Sequence, residues 1–376
     1  MPSAVAASAS PEATNVPSLA PLATEEAPPP SGAEREFTTD FTRHTVDYAE
    51  ILSGGPPKDG IPAIDQPGFV SVDEANGWPQ PQEPVILLQI GEEARAYPLQ
   101  ILVWHEIVND IVNGEPVLVT FCPLCNTAIA FERTVDGRVL DFGTTGRLRY
   151  SNLIMYDRQT ETWWQQANGE AIAGELTGTR LEFLPAAIVS WDDFRAAHPD
   201  GLVLSTDTGF SRAYGQNPYV GYDDVDNSPF LYRGPETPAN LRPMTRVLAV
   251  ERNNDVAAFP YGTLEDLRVV HESIGGEEVV IFWEAGTASA LDSRGIAFGR
   301  DVGTANAFSR VVDGRRLTFA FDGSRFVDEE TGTTWNILGE GIEGPLAGRR
   351  LDPMVAVNHF WFSWVAFQPG TRVYQP

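Results

Sequence analysis

Hydrophobic residues fall in short, dense runs rich in Val, Ile, Phe and Trp, separated by Gly, Pro and Asp-Gly steps. Runs of this kind predict strands rather than long helices. Residues 85–97, VILLQIGEEARAY, read as a hairpin turning at Gly91. Pro98 then opens LQILVWHEIVND, where Ile101, His105 and Val108 recur at helical spacing and predict a helix with His105 on a partly apolar face. Residues 117–131, VLVTFCPLCNTAIAF, predict two strands joined by a tight turn, because Pro123 lacks a backbone donor and Asn126 tolerates turn geometry. A further hairpin is expected at Asp136-Gly137 and a short helix at 191–199, ending before Pro199. ILSGGPPKDGIPAID (51–65) is dense in Gly and Pro and reads as loop.

The pattern then returns. D-x-x-T-x-T-x-W at Asp157 to Trp164 recurs at Asp328 to Trp335, and each copy is followed by G-E-x-I-x-G-x-L-x-G-x-R-L, from Gly169 and from Gly339. Trp191, Phe194 and Pro199 match Trp361, Trp364 and Pro369. These matches read as an internal duplication of roughly 120–130 residues. The expected fold is α+β and strand-dominated, two homologous β-rich repeats packed as a pseudo-symmetric pair. The first repeat spans 36–204, a polar Gly/Tyr/Pro-rich connector spans 205–240, and a second, cysteine-free repeat spans 241–376. Residues 1–35, rich in Ala, Pro, Ser, Thr and Glu, read as a disordered linker. Such linkers often follow a signal or lipid anchor, so an extracytoplasmic location and a possible lipid anchor upstream of Met1 are expected.

Charge narrows the partners. A net charge of −26 disfavours nucleic acid and anionic membrane surfaces. Lys58 is the only lysine, which disfavours Schiff-base chemistry. No apolar run approaches the ~18 residues of a membrane-spanning helix. There is no P-loop, no G-x-G-x-x-G after a strand, no G-x-S-x-G and no H-E-x-x-H, so no nucleotide cofactor is expected.

Candidate chemistry gathers on the only two cysteines, Cys122 and Cys125. Two thiols three positions apart on a turn can chelate a soft metal, cycle between dithiol and disulfide, or form a static clamp. Under the duplication Cys122 faces Glu284, Cys125 faces Thr287 and His105 faces Leu267, so the first copy alone carries this set. The leading expectation is a copper or zinc site formed by His105, Cys122 and Cys125, with Met155, His359, Glu106 or water as a fourth ligand. It would serve metal binding, delivery to or from a donor or acceptor, or metal-assisted catalysis on a small molecule, with Glu106 as general base or orienting the imidazole. The second expectation is a thiol–disulfide oxidoreductase in which Cys122 attacks and Cys125 resolves. The third is a non-enzymatic binding or scaffold module with a structural C-x-x-C. Asp157, matched by Asp328, reads as structural. His198 reads as a helix C-terminal cap, and His44 and His271 as surface residues.

LSGGPPKDGIPAID, WHEIVND, VTFCPLCNTAIAF, SNLIMYDRQTETWWQ and HFWFSWVAFQP together resemble the bacterial and archaeal domain-of-unknown-function family 3179, over about residues 40–376. The resemblance implies no activity. It does imply an exported or lipid-anchored protein, since members often look so. The family turn resembles C-P-L-C-G; here Asn126 stands for the glycine, and Asn also adopts a left-handed backbone.

Overall fold

The computed structural model describes residues 27–376. Most of the expected N-terminal linker therefore lies outside the described residues. Its last part carries a helical turn, Ala33–Glu36, with Ala33 buried. Arg147 anchors it, donating to the Ser31 carbonyl at 3.4 Å and pairing with Glu36 at 3.0 Å.

The protein is strand-dominated and built from several sheets. Four of them form its centre. The first sheet orders Ala186–Ser190, Pro84–Ile90, Glu93–Pro98, Leu202–Leu204 and Phe69–Ser71. The second orders Phe183–Leu184, Thr127–Glu132, Glu115–Cys122 and Ile107–Val112. The third orders Ala356–Phe360, Arg246–Arg252, Asp255–Pro260 and Arg372–Val373, and the fourth Val269–Ile274, Glu277–Glu284 and Thr304–Ser309.

Side chains alternate across each strand, so the near-continuous apolar runs follow from burial on both faces. Ile86 and Leu88 join Val117, Val119 and Phe121 in a core between the first and second sheets. Leu118 and Cys122, on the opposite face, join Val247, Ala249 and Val357 between the second and third. Leu248 and Val250 join Val279 and Ile281 between the third and fourth. Val280 and Phe282 join Val85 and Leu87 between the fourth and first. The four cores close a ring, and two of them cross between the halves of the chain.

Two outer sheets carry the repeated D-x-x-T-x-T-x-W segments. The buried Asp157 carboxylate accepts the Thr160 amide at 2.6 Å and the Trp164 indole N–H at 3.0 Å. Asp328 accepts the Thr331 amide and the Trp335 indole at the same two distances. Each aspartate thus closes its own turn and pins a core tryptophan. Asp157→Asn, which removes the charge and turns an amide towards these donors, should cost about 2 kcal/mol in denaturant unfolding. A loss below about 0.5 kcal/mol would sink this reading of the turn.

The expected helix over LQILVWHEIVND ends early. It spans Leu99–His105, Glu106 takes φ 60°, and Ile107–Val112 is a strand paired with Glu115–Cys122. Ile107, Val108, Ile111 and Val112 are β-branched, and pairing buries both Ile107 and Val108. Glu106, Asn109 and Asp110 therefore do not share a helix with His105. His271 is half-buried rather than a surface residue, accepting the Phe319 amide at 3.0 Å. The hairpins at Gly91 and Asp136-Gly137 and the helix Trp191–Ala197 form as expected. No described helix is long and apolar enough to cross a membrane.

Candidate functional site: a buried dithiol beside a carboxyl-lined cavity

Strand Glu115–Cys122 delivers Cys122 to the end of the second sheet. Pro123–Cys125 makes one 3-10 turn, Asn126 turns the chain at φ 51° and ψ 43°, and strand Thr127–Glu132 runs back with Thr127 opposite Cys122. Both thiols are free and buried. A second turn meets them. Strands Phe142–Arg149 and Asn152–Asp157 are joined by Tyr150 and Ser151, at φ 54° and 66°, as a tight primed hairpin turn requires. It aims the Ser151 carbonyl at both sulfurs, accepting from Cys125 at 3.4 Å and from Cys122 at 3.8 Å. A carbonyl oxygen favours the thiol over the thiolate. The Asn152 side-chain amide donates to the Cys125 sulfur at 3.4 Å. Asn152 is held in turn by Gln165, Gln166 and the Ala167 amide.

Glu106 ends the helix in a left-handed conformation, and its own carbonyl accepts the Phe121 amide at 2.8 Å. Its side chain forms part of the wall of a cavity of about 460 Å³, with Leu124, Leu153, Tyr219, Tyr222 and Phe230. Among the described residues the carboxyl has no hydrogen-bond or ion-pair partner. Burial alone pushes it up to about 8. Burial also pushes the Cys122 thiol well up, and Cys125 and the Glu106 charge push it the same way. Burial, Glu106 and Cys122 raise Tyr219 as well, so these groups share one electrostatic environment.

The expected connector closes the site. The Tyr222 hydroxyl donates to the Leu124 carbonyl, inside the cysteine turn, at 3.0 Å and accepts the Phe230 amide at 3.3 Å. Ser151 donates its hydroxyl to the Phe230 carbonyl. Tyr219, Tyr222 and Ser151 were not singled out by the sequence; the density of tyrosines in a polar 205–240 segment was the available signal.

The structure places Cys122 and Cys125 on one turn and Glu106 near enough for its charge to act on Cys122. It adds Met155, fully buried in the same apolar cluster as both sulfurs. It engages His105 elsewhere. Nδ1 donates to the Pro62 carbonyl at 2.7 Å, and Nε2 is 2.7 Å from the Tyr214 hydroxyl, so neither nitrogen is turned to a sulfur. His359 reaches the back of the turn instead, with Nδ1 2.7 Å from the Thr127 hydroxyl. Among the described residues no three His, Cys, Asp or Glu side chains are grouped to hold a metal ion.

A family model described as "Protein of unknown function (DUF3179)" matches residues 58–371. No curated protein and no solved structure matches the chain.

Proposed function

The chain belongs to the DUF3179 family, whose description carries no activity, and from the site we propose that it is a thiol–disulfide redox protein working through Cys122, Cys125 and Glu106. The observation that carries this reading is an unpartnered, buried carboxyl, Glu106, whose backbone carbonyl is bonded to Phe121, next to Cys122, and whose charge acts on the Cys122 thiol. A buried thiol whose hydrogen bond goes to a carbonyl rests protonated, and its chemistry needs a base. Glu106 can hold or release a proton near neutral pH in the cavity wall.

In the forward direction the Cys122 proton passes to the Glu106 carboxylate, and the thiolate attacks one sulfur of a substrate disulfide. A mixed disulfide forms and one substrate thiolate leaves. Cys125, after losing its proton, attacks the Cys122 sulfur, forming the internal disulfide and releasing the second substrate thiolate. Two electrons pass from the protein to the substrate, and the two protons end on the leaving thiols. An extracytoplasmic setting belongs to the same proposal, since disulfide partners persist there.

We also infer that the two halves are pseudo-symmetric copies, of which the first is specialised. Helices Leu99–His105 and Tyr261–Leu267, and strands Glu115–Cys122 and Glu277–Glu284, support this by ending at matched residues. Glu284 then stands where the first copy has Cys122.

A redox titration with a free-thiol count tests the main reading. Two thiols per chain should be lost together on oxidation, without cross-linking, at a potential above about −300 mV, where exchangeable rather than structural disulfides lie. Cys125→Ser should trap the mixed disulfide and Cys122→Ser should form none. A dithiol that resists oxidation, or a potential below that range, would overturn it.

The Asn152 N–H on Cys125 and the Met155 thioether in the shared cluster favour a second reading, a soft ion such as copper or zinc held by the two sulfurs. Elemental analysis of protein purified without chelators separates the two. A stoichiometric metal lost in Cys122→Ser would support the second reading.

A further inference from the structure

A separate cavity of about 650 Å³ opens between the halves of the chain, its wall including Leu181, Phe183, Val357, His359, Ser363 and Trp364. His359 is the penultimate residue of strand Ala356–Phe360 and Ser363 lies in the first turn of helix Trp361–Phe367. Both side chains are fully buried. The Thr127 hydroxyl donates to the Cys125 carbonyl at 3.1 Å, so it accepts from His359 Nδ1–H. In that tautomer Nε2 is a bare acceptor. Among the described residues neither His359 Nε2 nor the Ser363 hydroxyl has a hydrogen-bond partner. Buried polar atoms in native proteins are almost always satisfied, and the cost of leaving one bare is the cost of its lost hydration.

The fold does not demand the histidine. In the matched strand and helix, Ala186–Ser190 and Trp191–Ala197, Val189 stands at the place of His359. An apolar residue suffices there. Leu181, Phe183, Val357, Trp364 and Phe367 make the apolar and aromatic part of the wall, beside polar residues such as Asn168, Asn253 and Gln368, and the His359 ring lies 5.2 Å from that of Trp364. The cations of the rim are already paired, Arg180 with Glu170 and Arg252 with Glu277. The carboxylate of Glu251 accepts from the Gln368 amide at 2.6 Å. An anion would therefore find no unpaired cation there, while a donor hydroxyl would find an acceptor in His359 Nε2.

We propose that this cavity binds a small, uncharged aromatic molecule carrying a hydroxyl group, which donates to His359 Nε2 and accepts from Ser363. The site lies behind the cysteine turn, joined to it through Thr127, and is distinct from the Glu106 cavity.

Phenol and toluene, equal in shape and different in the hydroxyl, are the probes. In protein labelled with ¹⁵N-histidine, phenol should move the His359 Nε2 resonance upfield and saturably, and toluene should bind at least about tenfold more weakly. His359→Val should bring phenol to the affinity of toluene, and Ser363→Ala should weaken phenol several-fold while leaving toluene unchanged. No shift with phenol, as expected of a cavity that holds water alone, would overturn the proposal, and so would equal affinity for the two probes. The contrast in the unaltered protein and in Ser363→Ala stands whether or not His359→Val folds.

Discussion

Glu106→Gln should slow disulfide exchange at Cys122 by about a hundredfold or more while making the protein more stable at pH 8. The two effects have one cause. The ordinary value for a glutamate is 4.5, and burial in the folded chain pushes Glu106 up to about 8. Between these values the unfolded chain has released a proton that the folded chain still holds. Stability therefore falls as pH rises from 4.5 and levels off above 8, by a total on the order of 4 kcal/mol. Glu284, pushed up to about 7, and Glu83, pushed up to about 6, act in the same direction over narrower windows. His359 acts oppositely. Burial lowers it to about 3, so below 6.5 the unfolded chain takes a proton that the folded one refuses, and stability falls as the solution is acidified. The maximum should lie on the acidic side of neutrality. Denaturant midpoints from pH 5 to 8 should decline clearly in the wild type and much less in Glu106→Gln. Parallel curves for the two proteins would exclude a carboxyl held neutral at this position.

Gly146→Ala should be among the most damaging single-methyl additions in the protein. The register of strand Phe142–Arg149 against Asn152–Asp157 shifts between Thr144 and Arg147, and Gly146 sits in that bulge at φ +70°. Its carbonyl accepts the Gly54 amide at 2.8 Å, which holds the 54–57 loop against the strand. A Cβ on Gly146 would lie 2.0 Å from the Pro56 carbonyl oxygen and 2.9 Å from that of Pro57. Both neighbours are backbone, so the whole loop must move, and Pro56 is part of the wall of the Glu106 cavity. The expected loss is on the order of 4 kcal/mol, with faster alkylation of Cys122 in the molecules that remain folded. Gly137→Ala is the control: φ is +74°, but a Cβ there meets nothing within 4 Å, and the loss should be about 1 kcal/mol. Equal losses at the two positions would show that the close approach to Pro56 carries no energy.

How far the sequence could be read depended on how local each signal was. The C-x-x-C turn rests on Pro123 and Asn126, three positions apart in the chain, and it forms as read. The two hairpins rest on Gly91 and Asp136-Gly137 and form as well. The stretch from Leu99 to Val112 misled because two patterns overlap in it: Ile101, His105 and Val108 fit a helical period, while Ile107, Val108, Ile111 and Val112 are β-branched. The left-handed Glu106 between them leaves no periodic trace. Cys122, Cys125 and Glu106 could be named from the sequence, but the cavity beside them could not. Tyr219 and Tyr222 reach it from about a hundred residues downstream, in a segment without strand or helix period. His105 and His359 show the same limit. Both are buried histidines beside apolar runs, and only tertiary contacts decide that one is satisfied by Pro62 and Tyr214 while the other keeps a bare nitrogen.

The ring of cores sets a timetable for synthesis. When residue 204 leaves the ribosome, the first sheet is complete in sequence, yet the face bearing Val85, Leu87 and Trp191 is still waiting for Val280, Phe282, Phe308 and Leu351. At ordinary elongation rates that wait is on the order of 10 s, far longer than non-specific collapse. The nascent N-terminal half therefore exposes an apolar sheet face until its partner arrives. Cutting the gene at the 205–240 segment should yield two pieces that stay insoluble apart and become soluble only when co-expressed.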